Sequence, residues 1–193
     1  MPNIYIISGC NGAGKTTASF TVLPEMLNCD EFVNADEIAR GLSPLNPDKA
    51  AIEAGRIMLT KIDKLIKSRS DFAFETTLTT KSYVKLISKA KVHGYEVTLL
   101  YFWLDSVELA KERVKTRVLE GGHNIPEPVI ERRYFAGISN LFRLYISICD
   151  YWMIFNNSKP PSELIAEGYL DSEIEIKNKL IFETIKQTAN DKS

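Results

Sequence analysis

The chain has 193 residues, 45% of them apolar and 25% charged, which fits one globular domain and excludes disorder along the whole length. With 24 basic and 25 acidic side chains the formal net charge is -1, which disfavours nucleic-acid binding driven by bulk positive charge. The longest apolar run, residues 97–104, is too short to span a bilayer, and no basic, signal-like region precedes Ile4-Tyr5-Ile6-Ile7.

In chain order, residues 3–8 read as a buried strand, rich in β-branched and aromatic side chains. A glycine-rich turn leads to a helix over residues 15–27, which Pro24 bends or ends. A short strand is expected at 31–34. Pro44 and Pro47 mark a loop, and positions 52, 55, 59, 62 and 66 then set a helix over 48–68. A short strand at 72–74 and a helix at 81–93 follow, with Gly94 as its stop. Residues 96–104 are near-continuously apolar, as in a parallel strand covered on both faces. Helices are expected at 105–119 and 128–148, a buried strand at 151–155, a turn at 158–161, a strand near 164–169 and a helix near 177–189. Strands alternating with helices predict an α/β fold: a three-layer, mostly parallel sheet with helices on both faces. No repeat or linker divides the chain, so residues 1–193 read as a single domain. The cysteines Cys10, Cys29 and Cys149 match no zinc or redox spacing and suit a reducing compartment, so a cytoplasmic location is expected.

Residues 9–16 read Gly9-Cys10-Asn11-Gly12-Ala13-Gly14-Lys15-Thr16, the G-x-x-x-x-G-K-[ST] phosphate loop, placed between a strand and a helix. Its glycines let backbone N–H groups turn toward phosphate oxygens, and the helix N-terminus adds its positive end. Lys15 is positioned to reach the outer phosphates and the Thr16 hydroxyl to ligate Mg²⁺. The loop implies a nucleoside triphosphate but leaves its fate open, between a kinase with a small acceptor and a switch-type NTPase. A transporter-type ATPase lacks its own signature motifs here.

Ligands of an open parallel sheet bind at the carboxyl ends of its strands, so acids just after strands carry weight. Asp36 can accept a proton from a substrate hydroxyl or help hold Mg²⁺ through water, or it is the N-cap of a helix beginning at Glu37, and a carboxylate there could do both. Glu75 stands beside Thr76 and Thr77, as a site wall or a solvated loop acid. Asp105, with Glu108 three residues on, reads better as a capping box than as a metal ligand. Arg113 and Arg117 share one helix face. Gly121-Gly122-His123 follow, and Arg132-Arg133 stand on the next helix. The segment 113–134 is therefore read as a lid over polyphosphate. Trp103, Trp152 and Phe155 fall on strands and read as core.

Taken in order, the phosphate loop through Thr17, Asn34-Ala35-Asp36, Phe74-Glu75-Thr76-Thr77, Arg117 to Pro126, Arg132-Arg133-Tyr134 and Phe155-Asn156-Asn157-Ser158 resemble the zeta toxin family over residues 4–167. That resemblance implies a P-loop kinase fold and transfer of the ATP γ-phosphate to the 3′-hydroxyl of the sugar in UDP-N-acetylglucosamine. It makes Asp36 the catalytic base, with Glu75, Thr77 and His123 toward the acceptor. Gly9, Asn11, Gly12, Ala13, Gly14, Lys15, Thr16 and Thr17 would hold nucleotide and Mg²⁺, and Asn156 would lie near the adenine. Arg117 and an arginine of the lid segment would brace the transferred group, and an antitoxin protein is the implied partner. The family's second lid arginine has no counterpart in residues 121–126, which leaves Arg132, Arg133 or His123 to replace it.

Overall fold

In the computed structural model, which describes residues 1–122 and 124–191, seven strands form one sheet in the order β2-β3-β1-β4-β5-β6-β7. The strands are β1 (Asn3–Gly9), β2 (Phe32–Val33), β3 (Phe72–Thr76), β4 (Glu96–Trp103), β5 (Tyr151–Asn156), β6 (Glu163–Tyr169) and β7 (Glu175–Ile176). The helices are α1 (Lys15–Met26), α2 (Ala35–Leu42), α3 (Pro47–Ser68), α4 (Ser82–Val92), α5 (Val107–Leu119), α6 (Glu127–Asn140) and α7 (Lys179–Asp191). Strands β1 to β5 are mutually parallel, and β6 and β7 run antiparallel at one edge.

The parallel part follows from its crossovers. Each connection from β1 to β5 carries a helix, which is the length a parallel return requires. Between β5 and β6 only residues 157–162 remain, too few for a crossover, so β6 turns back antiparallel. Central strands β1, β3 and β4 bury Ile4, Ile6, Phe72, Phe74, Val97 and Leu99 completely. That accounts for the unbroken apolar runs in the sequence, since helices cover both faces.

Several boundaries differ from the sequence expectation. Pro24 lies inside α1, but in its last turn, so the helix ends within two residues of it. The helix expected over 128–148 runs only to Asn140 and passes into a wide π turn, Leu141–Tyr145. Gly94, at φ +79°, stops α4 as expected, with Gly94 and Tyr95 N–H groups bonded back to the Lys91 and Ala90 carbonyls. All three cysteines are buried and free. Among the described residues no helix is long and apolar enough to cross a membrane.

On α3, Met58, Ile62 and Ile66 form the buried stripe. Ile62→Ala is expected to lower unfolding free energy by about 2–5 kcal/mol in urea titration, through lost burial and the cavity left behind. A loss below about 1 kcal/mol would show that this face is not packed as described.

Candidate active site

The phosphate loop connects the end of β1 to the start of α1, and the neighbouring backbone leaves it no room for side chains. Gly9 sits at φ +140°, and a Cβ there would lie 2.2 Å from the Phe102 carbonyl oxygen of β4. Gly14, at φ +78°, would place a Cβ 2.6 Å from Asn157 Nδ2. That amide donates to the Ala13 carbonyl at 2.7 Å, so the loop after β5 pins the phosphate loop from outside. Arg113 in turn donates to the carbonyls of Asn157 at 2.9 Å and Ser158 at 2.8 Å. Its guanidinium therefore anchors this loop. Asn156 turns its side chain to the Ser158 N–H at 3.0 Å, so it is Asn157, one residue later, that touches the phosphate loop. The first turn of α1 has neither an acid nor a side-chain cap, so its N–H groups remain available to an anion.

Lys15 is buried, with Nζ donating to the Cys10 carbonyl at 2.9 Å and lying 3.5 Å from Glu75 Oε1. The Thr16 hydroxyl donates to Glu75 Oε2 at 2.7 Å. The same oxygen accepts the Asn34 amide at 2.8 Å. Asn34 Oδ1 in turn accepts the backbone N–H of Asp36 at 2.8 Å and of Glu37 at 3.4 Å. Asn34 is thus the N-cap of α2, and the capping alternative for Asp36 is corrected. Asp36 is exposed and its carboxylate is available to chemistry. Asn34 carries a sequence signal for this role, a favoured capping residue type directly before a helix. A parallel shift holds at α5, where Ser106, not Asp105, caps the helix by accepting the Leu109 N–H at 3.3 Å. Asp105 instead receives the Ser106 hydroxyl at 3.0 Å.

Two clefts meet at these residues. One, of about 250 Å³, is lined by the phosphate loop, Thr16, Thr17, Arg113 and Arg117. The other, of about 210 Å³, is lined by Asn34, Thr76, Thr77, Thr80, Tyr83 and Arg133. Asn11, Lys15, Asp36 and Glu75 border both. Arg133 Nη1 donates to Asn11 Oδ1 at 3.2 Å, and burial holds its guanidinium below the usual arginine range while Asp36 opposes that shift. Arg132 lines a separate cleft with Lys111, Glu127 and Phe135, so of the adjacent pair it is Arg133 that lines the second of these clefts. His123 lies outside the described residues.

Gly121 and Gly122 stop α5. Gly121, at φ +88°, donates to the Val118 carbonyl at 3.1 Å and Gly122 to the Arg117 carbonyl at 2.8 Å. A Cβ on Gly122 would lie 2.6 Å from Arg117 Cγ, so the glycine pair sets the turn beside Arg117. Burial pushes the Cys10 thiol up to about 11, which leaves it protonated and inert in the loop at neutral pH. No group of three or more His, Cys, Asp or Glu capable of caging a metal occurs among the described residues. A hydroxyl and two carboxylates, Thr16, Glu75 and Asp36, nevertheless suit Mg²⁺, which keeps water and shares phosphate oxygens.

Lys15→Ala is expected to weaken ATP binding and any ATP-dependent turnover together, each on the order of tenfold or more, by titration calorimetry and a turnover assay. Unchanged affinity and turnover would remove the phosphate loop from the site. Asn34→Ala is expected to cost about 1–2 kcal/mol of stability in urea titration through the lost cap, while Asn34→Ser, which keeps a capping oxygen, costs less. Equal losses would show that capping is not what Asn34 contributes to stability.

Comparison with known proteins agrees with this geometry. The Zeta toxin family model matches residues 1–158. An uncharacterized protein of Haemophilus influenzae is 35% identical over 129 residues, covering 65% of this chain and 88% of its own. In structure, a chain of the AvrRxo1-ORF1:-ORF2 complex with ATP superposes with a TM-score of 0.75 at 18% identity, over 96% of this chain and 63% of that one. The chain thus spans less than two thirds of the AvrRxo1 protein it matches. The PezAT chromosomal toxin-antitoxin system of Streptococcus pneumoniae gives a TM-score of 0.61 at 15% identity, over 98% of this chain and 86% of the other. These structural likenesses establish the P-loop kinase fold. The family match takes in every residue lining the two clefts, so the chain belongs to the zeta toxin family.

Proposed function

We propose that this chain is an ATP-dependent kinase that, working as one domain in the cytoplasm, transfers the γ-phosphate of Mg²⁺-bound ATP to a hydroxyl of a small acceptor. The acceptor of choice is a nucleotide sugar such as UDP-N-acetylglucosamine, as the family resemblance implies. The observation that carries the reading is the meeting of the two clefts at Lys15, Asp36 and Glu75, with phosphate-binding features on one side and a hydroxyl-rich wall on the other. An NTPase that only hydrolyses ATP has no need of the second cleft. PezAT is a toxin-antitoxin system, and an antitoxin protein is the partner proposed for this chain as well.

In this reading the acceptor oxygen forms a bond to the γ-phosphorus as the bridging P–O bond to ADP breaks. The acceptor proton passes to the Asp36 carboxylate. Lys15, Arg117 and Arg133 offset charge on the transferred group, which is the main work of phosphoryl-transfer catalysis. Bound Mg²⁺ supplies further charge neutralisation between the outer phosphates, and Thr16 and Glu75 would hold it. Thr77, on the acceptor wall, helps place the substrate.

The test is transfer of labelled γ-phosphate from ATP to a panel of UDP-N-acetylglucosamine, nucleosides and a 5′-hydroxyl oligonucleotide. Label is expected on the sugar nucleotide. Asp36→Asn is expected to lower transfer by ~10²–10⁴-fold with ATP affinity unchanged. Label only in free phosphate, indifferent to every acceptor, would point to a regulatory NTPase. Lost ATP binding with residual transfer would contradict the base assignment.

A further inference from the structure

The wall of the acceptor cleft is a turn that its own sequence does not favour. After β3 the chain passes through residues 77–81 before α4 begins, and Leu78 takes φ +57° although it is neither Gly nor Asn. Its side chain is fully buried. A non-glycine residue stays in that region only where its surroundings over-determine it. Here the surroundings belong mostly to one segment, α6 and the π turn that extends it.

Three contacts come from that segment. Asn140 Nδ2 donates to the Leu78 carbonyl at 2.7 Å. The Tyr145 hydroxyl donates to the Thr80 carbonyl at 2.5 Å. Gly137 lies so close to the turn that a Cβ on it would stand 2.6 Å from the Thr77 carbonyl oxygen. From within the turn, the Thr76 hydroxyl accepts the Leu78 N–H at 3.1 Å. The carbonyls of residues 78 and 80 are thereby bonded by α6 and its extension and that of residue 77 packs against Gly137, while Thr77 and Thr80 line the cleft. One turn earlier on α6 stands Arg133, bonded to Asn11 of the phosphate loop. One segment, α6 with its extension, therefore contacts the phosphate loop through residue 133 and the acceptor wall through residues 137–145.

The geometry points to Gly137, Asn140 and Tyr145 as acceptor-positioning residues: they hold the Leu78 turn so that Thr77 and Thr80 face the acceptor, and so set acceptor affinity without touching it. This rests on the phosphotransferase reading above and adds to it the element that controls the acceptor. The π turn fits such a role, because insertions of this kind concentrate at functional sites. Gly137→Ala would drive a Cβ against the Thr77 carbonyl and so displaces the turn directly, whereas Tyr145→Phe removes one hydrogen bond to the turn and adds no atom.

The experiment is initial-rate kinetics of the full chain, with the panel acceptor that takes label from the wild-type enzyme, for Gly137→Ala, Asn140→Ala and Tyr145→Phe. Expected is a rise in KM for the acceptor on the order of tenfold for Gly137→Ala and severalfold for Tyr145→Phe, with KM for ATP and acceptor-independent ATP hydrolysis unchanged. Tyr145→Phe removes one oxygen atom and carries the test if Gly137→Ala does not fold. Acceptor KM unchanged in both variants, or KM for ATP rising in step with it, overturns the inference while leaving the kinase reading intact. A wild-type enzyme that labels no acceptor overturns the kinase reading first and this inference with it.

Discussion

Glu75 is the residue through which the phosphate loop and Asp36 are joined. One of its oxygens accepts from Thr16 and from Asn34, and the other faces the Lys15 ammonium. The carboxylate is nearly buried, at 11% side-chain exposure, so its desolvation must be offset by these partners. The fold makes the arrangement possible because β3 lies between β2 and β1 in the sheet. A side chain at its carboxyl end reaches the crossover on either side, the phosphate loop after β1 and the cap of α2 after β2. Asn34 passes the linkage on, since the same amide that donates to Glu75 fixes the backbone of Asp36 with its oxygen. Lys15 and the backbone of the proposed base are thus linked through one ion pair and two hydrogen bonds.

The outer half of the site is braced by backbone carbonyls. Arg113 and Asn157 clamp the loop after β5 onto the phosphate loop, and α6 clamps the turn after β3. Both clamps direct long polar side chains at carbonyl oxygens that a turn leaves without strand or helix partners, which is where buried backbone demands satisfaction. The walls of the two clefts are therefore held from behind by groups outside the reacting centre. Arg117, from the last turn of α5, lines the first cleft, and Arg133, from α6, lines the second.

Much of this was legible in the residues. The phosphate loop, the parallel strands and Glu75 could be read because each rests on a local rule: a glycine pattern, an apolar run, an acid at a strand end. The departures are mostly shifts of a single residue. Asn34 caps α2 where Asp36 stood as an alternative, Ser106 caps α5 in place of Asp105, and of the neighbouring Arg132 and Arg133 it is Arg133 that lines the acceptor cleft. Neighbouring side chains point ~100° apart on a helix and to opposite faces on a strand, so such choices depend on the rotation of the whole element. That rotation is set by packing. The turn at Leu78 and the π turn at Leu141–Tyr145 leave no compositional mark for the same reason: tertiary contacts impose them.

The central claim is that both substrates sit together across Lys15, Asp36 and Glu75 and that phosphate passes directly between them. The most direct test is the initial-rate pattern with ATP and acceptor varied together. Intersecting double-reciprocal lines are predicted, because transfer requires a ternary complex. Parallel lines, the sign of a phosphorylated enzyme formed before the acceptor binds, would contradict the account.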